Sequence, residues 1–262
     1  MRIALGIQYD GSAFCGWQTQ PQMPNVQDTL EAALAAFVTS EVPTICAGRT
    51  DSGVHATHQV IDFDSPVERP LASWIRGVNT FLPSTVSVRW ARAVPDDFSS
   101  RFSATERTYE YWIYNDPVRS PLLCQHAGWV FRPLDEMKMQ EAANCLLGEH
   151  DFTSFRAAEC QAKSPVRHMN EITVRRVGNM IGIRLRANAF LHQMVSNIVG
   201  SLVYVGCGRE PVEWMKHVLD ARDRKVAAPT FAAAGLYLVG VKYPDELALP
   251  GYSPSIWPFP GR

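Results

Sequence analysis

The feature that most constrains this chain lies past its middle. Ile172 to Val177 and Met180 to Arg186 are two β-rich runs, joined only by Gly178-Asn179. A two-residue link with glycine first predicts a tight antiparallel hairpin, because such turns twist the way paired strands do. A chain built around that hairpin needs further antiparallel strands and an apolar cover. It has the material for both: 262 residues, 46% hydrophobic and 19% charged, enough for one large domain or two ordinary ones. The same balance excludes a disordered chain.

Read in order, residues 2–9 form a strand that turns at Asp10-Gly11. Asn25 is placed to cap a helix, with Asp28 in its first turn and Val26, Leu30, Leu34 and Phe37 at near-helical spacing. Strand-like segments at 42–47 and 58–63 flank a polar loop. Leu71, Trp74, Ile75, Val78 and Leu82 predict a second helix. Val86, Val88 and Trp90 alternate with Ser87 and Arg89, which predicts a half-buried strand. Asp96 to Arg107 reads as a polar crossing segment, and 109–114 as an aromatic strand. Pro133-Leu134-Asp135 opens a helix that runs to Leu147, with Gly148 as its terminator. After the hairpin come an apolar core helix over 190–204, a short helix over 211–221 and a last strand over 236–243. The tail beyond Pro250, rich in proline and aromatics, reads as irregular. The expected architecture is α+β: two subdomains with mainly antiparallel sheet, one over residues 1–105 and one over 106–262.

Charge is uninformative in total, at −1, but not in distribution. Residues 156–190 carry seven Lys/Arg against Glu159 and Glu171. That run fits either a surface that neutralises phosphates or a solvated strand face with scattered arginines. The six cysteines are scattered with no Cys-x-x-Cys pair, which argues against a zinc ribbon or a disulfide framework. With no secretory signal in view, the chain is expected in the reducing cytoplasm. The longest apolar stretch, Ile198 to Cys207, is too short to cross a bilayer, so no membrane association is expected. His55 and His58 form His-x-x-His, but no further Cys or Glu ligand is near. They read as polar loop or surface residues, with no metal.

The polar loop is the most suggestive stretch for chemistry. It runs Ala47-Gly48-Arg49-Thr50-Asp51-Ser52-Gly53-Val54-His55-Ala56. A carboxylate between two glycines, held by strands on both sides, is well placed to meet a substrate. On its own, Asp51 reads as nucleophile, base, metal ligand or turn residue, and the loop alone favours the turn reading, since Asp is common in turns for local hydrogen-bonding reasons.

This loop does not stand alone. Tyr9-Asp10-Gly11 with Phe14, Gly16 and Trp17 precedes it, and Arg101 to Ala104 follows. Then come Arg107-Thr108-Tyr109-Glu110-Tyr111, Asp151 to Arg156, Ala187 to His192 and Ala234 to Leu238. Together, and in this order, these segments resemble the TruA-type tRNA pseudouridine synthases nearly end to end. The resemblance implies two halves joined into a continuous sheet, helices on one side, a central active-site cleft and a homodimer. It implies tRNA as partner, with uridines just 3′ of the anticodon (tRNA positions 38, 39 and 40) as targets, and no cofactor or metal. By resemblance Asp51 is the nucleophile, Tyr109 stacks on the target base and Arg49 supports the flipped-out nucleotide. The chemistry agrees: a carboxylate can attack the sugar or the ring, stabilise charge at C1′ and leave again. Read from its surroundings alone, Tyr109 in an aromatic strand is a core-packing residue before it is a site residue. One position departs from the pattern. After Val195 the family usually carries an arginine that pairs with the catalytic carboxylate, and this chain has Ser196. Arg49, Arg156 and Arg186 are the expected substitutes. A chain that binds tRNA but turns it over weakly is the alternative that Ser196 raises.

Overall fold

The computed structural model describes residues 1–251, so the aromatic tail, apart from its first residue, lies outside the described residues. The described chain divides into two units. One comprises Met1–Thr105 together with the segment from Tyr237 onward; the other is Glu106–Leu236. The segment after 236, assigned from sequence to the second subdomain, groups instead with the first.

In the first unit, β1 (Arg2–Tyr9) leads through a short turn to α1 (Val26–Val38), β2 (Ile45–Cys46), β3 (His55–Asp64), α2 (Leu71–Asn79) and β4 (Val86–Val94). Strand β1 pairs antiparallel with β3 on one side and with β4 on the other. β2 also pairs antiparallel with β3. Helix α1 starts where its cap allows: the Asn25 side chain accepts from the Asp28 N–H at 2.8 Å and donates to the Asp28 carboxylate at 2.7 Å. The two satisfy each other's polar groups, and an orphan helical donor is filled. Leu30 and Leu34 are fully buried, and Phe37 meets Trp74 of α2 edge-on at 5.2 Å. Trp74 in turn packs on Phe63 of β3, also at 5.2 Å. Each such buried side chain contributes about 1.5–3 kcal/mol. The alternation expected for β4 holds only at its start. A bulge opposite Gly6/Ile7 shifts the register, so Ala91 and Val94 are buried beyond it and Trp90 is half-buried. The strand expected over 42–47 contracts to two residues, since Pro43 withholds an N–H from any ladder.

In the second unit, the order is β5 (Glu106–Asn115), β6 (Gly128–Val130), α3 (Glu136–Ala143), β7 (Gly148–Asp151), β8 (Val166–Val177), β9 (Met180–Ala187), α4 (Met194–Gly206) and α5 (Trp214–Ala221). Strands β5, β9, β8 and β7 pair antiparallel in that order, and β6 joins β5 in parallel. The β8–β9 hairpin forms as expected, with Gly178 at φ +59 in the turn. Helix α3 is shorter than expected and passes into a 3-10 turn at Asn144–Leu146. It is fixed to β8 by Gln140, which accepts from Val174 N–H at 2.6 Å and donates to the Ile172 carbonyl at 3.2 Å. Helix α4 begins at Met194 because Gln193 is left-handed, at φ +59. The last strand, β10 (Leu236–Lys242), pairs in parallel with β3 at Tyr237 opposite His55 and Leu238 opposite Ala56. The protein is therefore mixed α+β with mainly antiparallel sheet.

Candidate active site

The loop that carries Asp51 connects β2 to β3 and is clamped on both flanks. At its entry, Ala47 N–H donates to the Val60 carbonyl at 2.8 Å. The Gln59 side chain brackets Gly48: its amide donates to the Gly48 carbonyl at 2.6 Å, and its oxygen accepts the Gly48 N–H at 3.3 Å. In the middle, Thr50 is held at two atoms. Its carbonyl accepts Trp17 N–H at 2.9 Å, and its hydroxyl is bonded to the Tyr9 phenol at 2.7 Å. At its exit, Gly53 N–H donates to the Phe14 carbonyl at 3.3 Å and Val54 N–H to the Asp51 carbonyl at 3.1 Å. Gly16, at φ +96, lies against this turn so closely that a Cβ would stand 2.8 Å from the Thr50 carbonyl oxygen. The motif residues Tyr9, Phe14, Gly16 and Trp17 thus form the bed of the Asp51 loop. Asp51 itself is half-buried, and Arg49 is exposed. The nearby thiol of Cys46 is no rival nucleophile, since burial pushes its pKa up to about 12 despite the Arg49 charge.

The two histidines are corrected by the structure. Neither is a surface or loop residue: both lie in β3, His55 2% and His58 5% exposed. β3 is buried along nearly its whole length, with partners that sequence neighbours do not reveal. His55 Nδ1 lies 3.0 Å from Gly11 N and 3.1 Å from an Asp10 carboxylate oxygen. Its ring stacks on Tyr237 at 4.5 Å. Burial, with the Asp10 carboxylate, holds the Tyr237 phenol above its usual range. His58 packs beside Trp90, and burial holds its pKa below that of a free imidazole. The signal available in sequence was the apolar setting Val54-His55-Ala56.

In the second unit, Tyr109 lies on β5 opposite Leu185 of β9. It is 9% exposed and meets Phe190 edge-on at 5.0 Å. The packing reading of Tyr109 therefore has a physical basis, and a stacking role would be added to it.

Comparison with known proteins decides the family. The chain matches the tRNA pseudouridine synthase family over residues 6–103 and 142–244. It is 60% identical over 250 residues to the tRNA pseudouridine synthase A of Burkholderia cenocepacia, covering 95% of this chain and 93% of that one. It is 58% identical over 249 residues to the protein of the same name from Paraburkholderia phytofirmans, at 95% and 92% coverage. This chain belongs to the tRNA pseudouridine synthase family.

Membership sharpens the question of what stands for the missing arginine. Ser196 is buried in the first turn of α4, and its carbonyl accepts Phe231 N–H at 3.2 Å. Two of the three expected substitutes are already engaged. Arg186 is bound by Glu106 at 2.9 Å and Glu171 at 3.1 Å. Arg156 donates to the carbonyls of Cys160 and Ala162, the latter at 3.0 Å. The basic run is also less basic than its composition suggests. Arg176 pairs with Glu136, and Arg184 with Glu110 and Glu171. Three of the neutralising carboxylates come from β5 and α3, outside the window 156–190 whose charges were counted.

Proposed function

We propose that this member of the tRNA pseudouridine synthase family isomerises uridines of the tRNA anticodon stem-loop, just 3′ of the anticodon, with Asp51 as the nucleophile. The family supplies the reaction, conversion of uridine to pseudouridine in tRNA. The observation that carries the assignment to Asp51 is the clamped loop. Its neighbours on both sides are hydrogen-bonded, Thr50 to Tyr9 of β1 and to Trp17, and Gly53 to Phe14, while Asp51 remains partly open to solvent. A nucleophile held in place loses less entropy on reaching the reacting atom.

The target base must first leave its stack, at a cost of a few kcal/mol. Arg49 is exposed beside Asp51 and carries the charge and planar group to fill the space or hold a phosphate. Tyr109 offers an aromatic face of the type that holds unstacked bases. The reaction rearranges the substrate without redox change: the Asp51 carboxylate attacks as the N1–C1′ bond breaks, the base rotates, C5 bonds to C1′ as the carboxylate is released, and the proton lost from C5 is balanced by one gained at N1. We further propose that the protein acts in the cytoplasm as a homodimer. The structure bears on location only through its helices: among the described residues none is long and apolar enough to cross a membrane.

The test is Asp51→Ala. Pseudouridine formation is expected to vanish while the variant still folds and unfolds cooperatively on heating, since one half-buried loop side chain lies within the usual range of about 0.5–3 kcal/mol. Residual activity near that of the native chain would remove Asp51 from the nucleophile's role. Tight, salt-dependent tRNA binding by the native protein without product would instead favour the weak-turnover reading that Ser196 raises.

A further inference from the structure

We infer that Tyr9 and Thr50 are positioning residues for the reaction, their buried hydrogen bond setting the direction in which Asp51 is presented. This rests on the reading of Asp51 as nucleophile. The two hydroxyls are 2.7 Å apart, and the residues are 3% and 6% exposed, so no solvent competes for the bond. Thr50 immediately precedes Asp51, and its carbonyl is held independently by Trp17 N–H at 2.9 Å. Gly16 lies beside that same carbonyl, leaving no room for a Cβ, in a backbone conformation that only glycine adopts freely.

Thr50 is thus fixed through both its side chain and its backbone. A β-branched side chain has few χ1 choices, so anchoring Oγ1 also restrains the backbone it hangs from. The backbone angles of residue 50 determine where the Cα–Cβ bond of residue 51 points. The Tyr9 phenol is therefore connected to the carboxylate by one hydrogen bond and a few stiff covalent bonds. Neither hydroxyl needs to touch the substrate for this to matter. A displacement of about 1 Å in a reacting group can lower a rate by about 100-fold.

The experiment is single-turnover pseudouridine formation on an unmodified tRNA transcript, with tRNA affinity measured in parallel. The proteins are the native chain, Tyr9→Phe, Thr50→Val, Thr50→Ser, the Tyr9→Phe/Thr50→Val double variant and Asp51→Ala. Tyr9→Phe and Thr50→Val each remove one hydroxyl with little change of shape. Each is expected to slow the chemical step about tenfold or more, with tRNA affinity within about twofold of native. The double variant is expected to be about as slow as the slower single one, since both break the same bond. Thr50→Ser keeps a hydroxyl and is expected to recover most of the rate. A merely structural role would lower thermal stability and leave the rate of the folded fraction intact, which overturns the proposal. So would rates that multiply in the double variant, or a loss confined to tRNA affinity. If Thr50→Val does not fold, Tyr9→Phe against Thr50→Ser decides: equal native-like rates overturn the proposal, and a slow Tyr9→Phe supports it. The Asp51→Ala arm separates the two levels. An active Asp51→Ala removes the nucleophile reading itself, whereas an inactive one beside a native-like Tyr9→Phe removes only the positioning role.

Discussion

At the scale of single residues, the structure gives buried polar groups more work than their sequence context suggests. His58 is the clearest case for pH. Burial lowers its pKa in the folded protein, with the Pro250 carbonyl opposing that shift. Its folded pKa is depressed, so the unfolded chain takes up its proton more readily. The stability it contributes is complete above the unfolded value of about 6.5 and is lost as pH falls through the depressed folded value. His58→Phe keeps an aromatic ring beside Trp90 and removes the titration. The fall in Tm between about pH 7.5 and about pH 5.5 should be smaller in this variant than in the native chain, by calorimetry at both pH values. An equal fall in both would mean that His58 titrates alike folded and unfolded. The two histidines also show where residue-level reading stops. Their types and spacing were plain, but their burial depends on β1 and β10, which reach β3 from far along the chain.

At the scale of elements, glycine separates turn geometry from site geometry. Gly16 and Gly178 both have positive φ, at +96 and +59. A Cβ on Gly178 would meet open space, whereas one on Gly16 would stand 2.8 Å from the Thr50 carbonyl oxygen. Gly178→Ala should cost about 1–2 kcal/mol through its backbone angle alone and leave activity unchanged. Gly16→Ala should cost about 1–3 kcal/mol and also depress turnover, because the Asp51 loop must shift to admit the methyl group. Denaturant unfolding and turnover measured on both variants check this. Equal activity loss in the two would deny Gly16 its special place. Local signals carried much at this scale. The Gly-first hairpin, the Asn25 cap and the aromatic strand all rest on neighbours in sequence. Elements whose limits depend on tertiary partners were misjudged: the two-residue β2, the β4 bulge and the shortened α3.

At the scale of the whole molecule, the last strand is the least local element. β10 follows the second unit in sequence but pairs with β3 of the first. Periodicity finds such a strand and cannot say where it goes. A chain ending at Leu236 should leave the amides of His55 and Ala56 exchanging at least about tenfold faster, with the β8–β9 hairpin still protected. Hydrogen exchange with mass spectrometry reads both regions at once, and unchanged protection in β3 would deny β10 its part in the unit. The proposed dimer is tested by light scattering, where a mass near twice the 29.2 kDa chain is expected. The proposal of Asp51, Arg49 and Tyr109 as site residues comes from sequence, where their motifs stand in family order. The bed beneath Asp51 became visible only when Tyr9, Gly16 and Trp17 were seen lying against Thr50.

The most direct test of the central claim is pseudouridine mapping on an unmodified transcript of a tRNA with uridines 3′ of the anticodon. The transcript is incubated with the native protein and with Asp51→Ala, and carbodiimide-dependent primer-extension stops are read. Stops confined to that arm, with the native protein only, are the expected result. No stops with the native protein, or the same stops with Asp51→Ala, would contradict it.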